Sequence, residues 1–114
     1  MAINQELLRE TFDIYDKETI IEIINIFFEE YPERIEALNE ATSNKDSEKL
    51  RTTAHGLKGV ISHFHAEEAR GLAKQLEEKG MEGDFEDVED IKTKLFEQMD
   101  EMIVELKEIK KNYE

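Results

Sequence analysis

The chain has 114 residues with 15 basic and 29 acidic side chains, a formal net charge of -14 and a pI near 4.6. That field repels nucleic acid and anionic membrane surfaces, so neither is expected as a partner, and the absence of cysteine removes disulfides and thiolate metal sites. With no basic-then-apolar leader and no run of the ~18 apolar residues that cross a bilayer, the expectation is a soluble cytoplasmic protein, monomeric, forming a single domain over residues 1–114.

One proline and five glycines punctuate a sequence dominated by Glu, Lys, Leu, Ile and Ala, a composition that favours helix. Behind a potential Asn4 cap, Leu7, Leu8 and Phe12 predict a short helix over 5–13. Asp16 is the next cap, and Ile20, Ile24, Phe28, Tyr31, Ile35 and Leu38 recur in steps of three and four. The phase survives across Pro32, so 17–42 reads as one long rod in which the proline can introduce a kink. The break at 42–46 ends in Asp46, a cap for a helix over 47–64 whose apolar residues are Leu50, Ala54, Leu57, Ile61 and Phe64. A fourth helix begins near Ala66, buries Ala69, Leu72, Ala73 and Leu76, and is expected to stop at Gly80. After a loop over 80–84, Val88, Ile91, Leu95, Met99, Met102, Leu106, Ile109 and Tyr113 predict a helix over 85–112. Two long and two shorter helices with short connections make an all-α, antiparallel up-and-down four-helix bundle, with the short N-terminal helix covering the end that the shorter pair leaves open.

The unusual stretch is 53–77. Helical projection places His55 about 140° from the apolar stripe of its helix, with Gly59 at about 180°, Ser62 at about 120°, Arg51 at about 100° and Lys58 at about 80°. His55 therefore points outward among two cations, a hydroxyl and a position with no side chain, a receptacle for an anion on the imidazole. Gly56 and Gly59 each cost about 1 kcal/mol relative to alanine within a helix, so something must need the space. Residues 51–79 carry a net +1 while the remainder carries -15, a near-neutral island suited to holding a phosphoryl group or to docking against an acidic pocket. His55 and His63 are two turns apart, about 12 Å along the axis, too far to share a metal ion, and no metal site is expected.

Ala54-His55-Gly56-Leu57-Lys58-Gly59 resembles the A-H-x-L-K-G signature of histidine-containing phosphotransfer domains. The segment from Phe27 to Leu38 is similar to that family's phenylalanine-then-proline run in the second helix, and Phe64, Ala66, Glu67, Leu76 and Glu77 to its turn and fourth helix. The resemblance implies a phosphorelay intermediate of two-component signalling in which His55 accepts a phosphoryl group from a receiver-domain aspartate and passes it to another receiver. It implies Lys58 as the neutraliser of phosphoryl oxygens, Gly59 as clearance for the receiver, and Glu77, with Gln75 as the alternative, as acceptor of the imidazole Nδ1–H. Docking is expected to use Arg51, Ser62 and His63, with an apolar patch drawn from Ile3, Leu8 or Ile14. The implied partners are response-regulator receivers and a sensor or hybrid histidine kinase. No cofactor is implied for this chain, because Mg²⁺ belongs to the receiver; nor is kinase activity of its own. The alternatives are a phosphoacceptor domain excised from a larger histidine kinase and an interaction module that carries no phosphate. The sequence departs from the family at Val60 and Ile61, where small residues are common, at Gly56, where threonine or a bulkier residue is commoner, and at His65, where glycine is frequent.

Overall fold

A computed structural model describes residues 1–114. Five helices follow one another: α1 (Gln5–Phe12), α2 (Lys17–Ser43), α3 (Ser47–His63), α4 (Glu67–Glu82) and α5 (Val88–Lys111). The last four form the bundle, and the whole molecule is elongated at 42 × 22 × 21 Å. Asn4, Asp16 and Asp46 cap α1, α2 and α3, each accepting a backbone N–H three residues on, as the sequence predicts. Pro32 lies within an unbroken α2, its ring on the exposed side. No helix is long and apolar enough to cross a membrane.

The core follows the predicted stripes with one shift of phase. Leu50, Ala54, Leu57 and Ile61 of α3, Ala69, Leu72, Ala73 and Leu76 of α4, and Leu95, Met99, Met102 and Leu106 of α5 are all buried. On α2 it is Phe27, not Phe28, that enters the core. Phe27 packs its ring 5.1 Å from that of Phe64, in the turn after α3, and Phe28 and Tyr31 flank it half-buried.

Three expectations are corrected. First, Gly80 does not end α4. The helix runs to Glu82 and closes on Gly83, which adopts the left-handed φ of 67°, while Gly80 is buried within it. A Cβ at Gly80 would stand 2.5 Å from the backbone nitrogen of Arg51 and 2.8 Å from its Cα. Its role is the close approach of α4 to α3. Second, α5 begins at Val88, three residues later than the apolar periodicity suggests. Asp84 takes the intervening residues into a turn, accepting the Glu86 N–H at 2.9 Å and the Lys79 ammonium at 3.0 Å, and Asp87 adopts a positive φ of 62°. Third, Leu8 and Ile3 are buried, at 1% and 3% exposure, and cannot form a docking patch. α1 turns Leu8 and Phe12 inward toward Ile109 of α5. The carboxylate of Glu105 accepts the N–H groups of Ala2 and Ile3 at 2.6 and 3.0 Å, fixing the segment before α1. Of the three candidates, Ile14, at 78% exposure, faces solvent.

Gly80→Ala is expected to destabilise the protein by about 1–3 kcal/mol, because backbone atoms must separate to admit the methyl group. Gly71→Ala, at a helical position where a Cβ meets nothing within 4 Å, is expected to stabilise by up to about 1 kcal/mol. Urea unfolding of the two variants reads the difference; equal and favourable effects at both positions would remove the close-approach role of Gly80.

Candidate functional site

α3 sets its candidate residues by helical repeat. His55, Lys58, Gly59 and Ser62 stand at i, i+3, i+4 and i+7 on the side away from Leu57 and Ile61, while Ala54, Ala69 and Ala73 let α4 lie close alongside. α3 and α4 have the most extensive contact of any helix pair. That proximity brings Glu77, 22 residues away in sequence, beside the histidine.

The imidazole of His55 is 65% exposed, whereas the Glu77 carboxylate is only 12% exposed. One Glu77 oxygen lies 2.5 Å from His55 Nδ1, and the other accepts a hydrogen bond from Lys58 Nζ at 2.6 Å. The Lys58 contact, followed by that of His55, holds the Glu77 carboxyl below its ordinary 4.5 against the opposing effect of burial. Glu77 is therefore ionised at neutral pH and can only accept. Nδ1 must then carry the proton of the neutral ring, and Nε2 presents its lone pair to solvent. A carboxylate that fixes an imidazole in this way sets both tautomer and ring orientation. Because the folded value is depressed, this pairing adds stability above the ordinary pKa and loses it as pH falls through the lowered one.

The other predicted residues fall around this dyad with different states of engagement. Gln75 is exposed on α4, and Glu77 is the partner of Nδ1. Gly59 has open space where a Cβ would be, so no intramolecular packing requires glycine there. Gly56 faces α2: its missing Cβ leaves room for the guanidinium of Arg34, 3.2 Å from where that carbon would stand, and Arg34 is paired with Glu30 at 3.0 Å. Arg51 is drawn toward the start of α3 by Glu48, at 2.5 Å, a contact that raises its pKa. The Ser62 hydroxyl donates to the Lys58 carbonyl at 2.8 Å, so its proton is not offered to an anion beside His55. No three His, Asp or Glu side chains converge on a common point.

On the side of α3 away from Glu77, an apolar groove of about 210 Å³ runs between α2 and α3, lined by Ile23, Ile26, Phe27, Val60 and Phe64 with Glu30 and His63 at its edges. It begins at Val60, about 7.5 Å along the helix axis from His55. A second recess, formed by Thr11, Phe12, Tyr15, Ile23 and His63, continues it toward α1. Sequence reasoning placed His63 on this flank but missed the groove, because Ile23 and Ile26 lie off the α2 stripe. Their position beside that stripe, together with the apolar Val60, was the available signal. The turn after α3 holds another feature the periodicity does not reveal: His65 has a positive φ of 56°, a backbone conformation that glycine adopts more readily than a residue with a side chain.

The family model for the Hpt domain matches residues 22–109. Among solved structures, histidine-containing phosphotransfer protein B from Pseudomonas aeruginosa is similar, with a TM-score of 0.91 at 21% sequence identity, covering 99% of this chain and 97% of that one. No curated protein sequence matched. The likeness in structure extends the shared helical fold to α1, outside the residues matched by the family model. With the family model spanning α3, α4 and nearly all of α2 and α5, the chain belongs to the histidine-containing phosphotransfer (Hpt) domain family, phosphocarriers that serve as phosphorelay intermediates between the histidine kinases and response regulators of two-component signalling.

Proposed function

We propose that His55 is the phosphoryl acceptor of this relay. The observation that carries the reading is the exposed imidazole whose inner nitrogen is held by the Glu77 carboxylate at 2.5 Å. Nε2 attacks the phosphorus of a receiver's aspartyl phosphate, the N–P bond forms, and the P–O bond to the aspartate breaks, returning that electron pair to the leaving carboxylate. The phosphorylated ring retains its Nδ1 proton and gains positive charge, which the adjacent Glu77 carboxylate stabilises. Transfer to the next receiver reverses these steps. Phosphoryl transfer requires chiefly in-line positioning and charge stabilisation. Lys58 supplies charge: its ammonium has three donors, of which Glu77 engages one, leaving the others for phosphoryl oxygens. Gly59 keeps the approach to His55 clear.

The receiver docks, in this reading, on the exposed face of α3 and the groove beside it. Arg51, Ser62 and His63 contribute polar contacts, and Ile14, Ile23, Ile26 and Val60 supply the small apolar centre such transient interfaces use. Mg²⁺ stays with the receiver, and this chain acts as a cytoplasmic, monomeric phosphocarrier with no kinase activity of its own. We read residues 1–114 as one domain, a reading supported by the ties of α1 and the segment before it to α5 through Glu105 and to the turn after α5 through the Phe12–Tyr113 contact.

His55→Gln is expected to retain the helical content and unfolding temperature of the parent while accepting no phosphoryl group. Acid-labile, base-stable phosphate on that variant after incubation with a phosphorylated receiver would overturn the assignment. Lys58→Ala is expected to slow transfer by about 10-fold or more, as loss of one charge-stabilising donor does at other sites; an unchanged rapid-quench transfer rate would remove its electrostatic role. For Gly59, substitution by Ala is expected to raise stability by up to about 1 kcal/mol, since the position is open, whereas Gly59→Gln is expected to cut transfer sharply with the fold intact. Full transfer by the glutamine variant would show that the clearance is not used.

A further inference from the structure

His65 occupies the turn between α3 and α4 in a backbone conformation that favours glycine, yet its side chain and its backbone both bind α1. Its carbonyl accepts the N–H of Asn4, the N-cap of α1, at 3.0 Å. Its Nε2 lies 2.8 Å from Oγ1 of Thr11, in the last turn of the same helix. Asn4 and Thr11 are seven residues apart, about 10 Å along a helix, so a single residue fastens both ends of α1. An isolated eight-residue helix does not hold its shape in water, and α1 depends on such attachments and on its two buried side chains, Leu8 and Phe12. A side chain held at positive φ persists where the surroundings over-determine it. Here they do so at the point where α1 meets the α3–α4 hairpin.

The consequence reaches the exposed surface. Thr11, Phe12 and Tyr15 form one wall of the recess whose other wall is Ile23 and His63, and Ile14 projects beside them at 78% exposure. His63 belongs equally to the α2–α3 groove. The height of α1 against the bundle therefore sets how the apolar rim stands relative to the face of α3 that bears His55.

We propose that His65 is a positioning residue that locks α1 to the α3–α4 turn through Thr11 and Asn4, and so sets the apolar rim on which a receiver domain is recognised. The inference rests on the receiver-docking reading above. His65 touches none of the reacting atoms. Its loss acts on recognition and leaves the chemical step at His55 unchanged.

The test uses the full chain in three variants. Thr11→Val removes the hydroxyl with its shape and backbone kept. His65→Gly accommodates the positive φ and removes the imidazole. His65→Asn also tolerates that φ but ends short of Thr11. Amide hydrogen exchange in α1 is expected to quicken by about five-fold in each, the share of one hydrogen bond. With receiver domains charged by acetyl phosphate, the receiver concentration giving half-maximal transfer is expected to rise by about the same factor, while the transfer rate at saturation stays within two-fold. The Thr11→Val, His65→Gly double variant is expected to match His65→Gly alone, because both remove one interaction. Unchanged α1 exchange in Thr11→Val would overturn the lock. Faster exchange with an unchanged half-saturation, or an equal loss in the saturating rate, would overturn its role in recognition. If the unmodified chain accepts no phosphoryl group from any receiver, the functional reading and the proposed role in recognition both fail, and α1 exchange still decides whether His65 holds the helix.

Discussion

Gly80 brings α4 so near the α3 backbone at Arg51 that no side-chain carbon fits between them, and this contact lies one turn from each half of the site. Arg51 precedes His55 by four residues, and Gly80 follows Glu77 by three. Alanines continue the close packing along the pair, with Ala54 on α3 and Ala69 and Ala73 on α4 all fully buried or nearly so. Two helices separated by larger side chains would leave Glu77 short of the imidazole. At this spacing the carboxylate is largely withdrawn from water and meets two donors that offset its desolvation. The imidazole of His55 itself stays in solvent, where a partner can reach it. The site thus depends on an asymmetry of burial across a gap that a missing methyl group sets.

The glycines of the two helices separate by physical role once their surroundings are known. Gly80 and Gly56 are explained from within, by the backbone at Arg51 and the guanidinium of Arg34. Gly59 and Gly71 are not, because a Cβ at either position would meet nothing within 4 Å. A helix-interior glycine with no neighbour costs stability and returns none inside the isolated molecule. Gly59 stands one turn beyond an exposed histidine, and in the proposed function its open space serves a partner surface closing on that histidine. Gly71 stands on α4 with no such neighbour, and nothing in the structure explains it.

Much of this was legible in the sequence because helices repeat every 3.6 residues. Apolar spacing gave the bundle, and three side-chain caps gave three helix starts. The same arithmetic put His55 on the outside of its helix. What it could not give were facts about pairs of helices. Projection treats each helix alone, so Gly80 looked like a terminator when its neighbour on α3 makes it a packing residue. Leu8 looked available for docking for the same reason, although α5 covers it. The late start of α5 depends on Asp84 binding Lys79 and Glu86 N–H, contacts made by a polar side chain that leaves no trace in an apolar pattern. Glu77 was reachable only through the family resemblance, since spacing within α4 sets its direction but not its distance from His55.

Chemistry and recognition occupy different parts of the fold. The proposed transfer site is made by α3 and α4, whose side chains interlock through Glu77, Lys58 and His55, and any change there reaches the imidazole. The apolar rim is made by α1, α2 and the outer side of α3, joined to the hairpin through a short helix and a turn. Because phosphoryl transfer asks little of the protein beyond position and charge, the first region is constrained while the second is free to vary with the partner. Val60 and His65 both fall in that second region. Val60 lines the groove, and His65 ties down the helix that extends it. The acidic body adds a further discrimination, since it repels acidic surfaces everywhere except near the almost neutral α3–α4 hairpin. Under the proposed function, this charge pattern would steer a receiver with an acidic pocket to the face that bears the histidine.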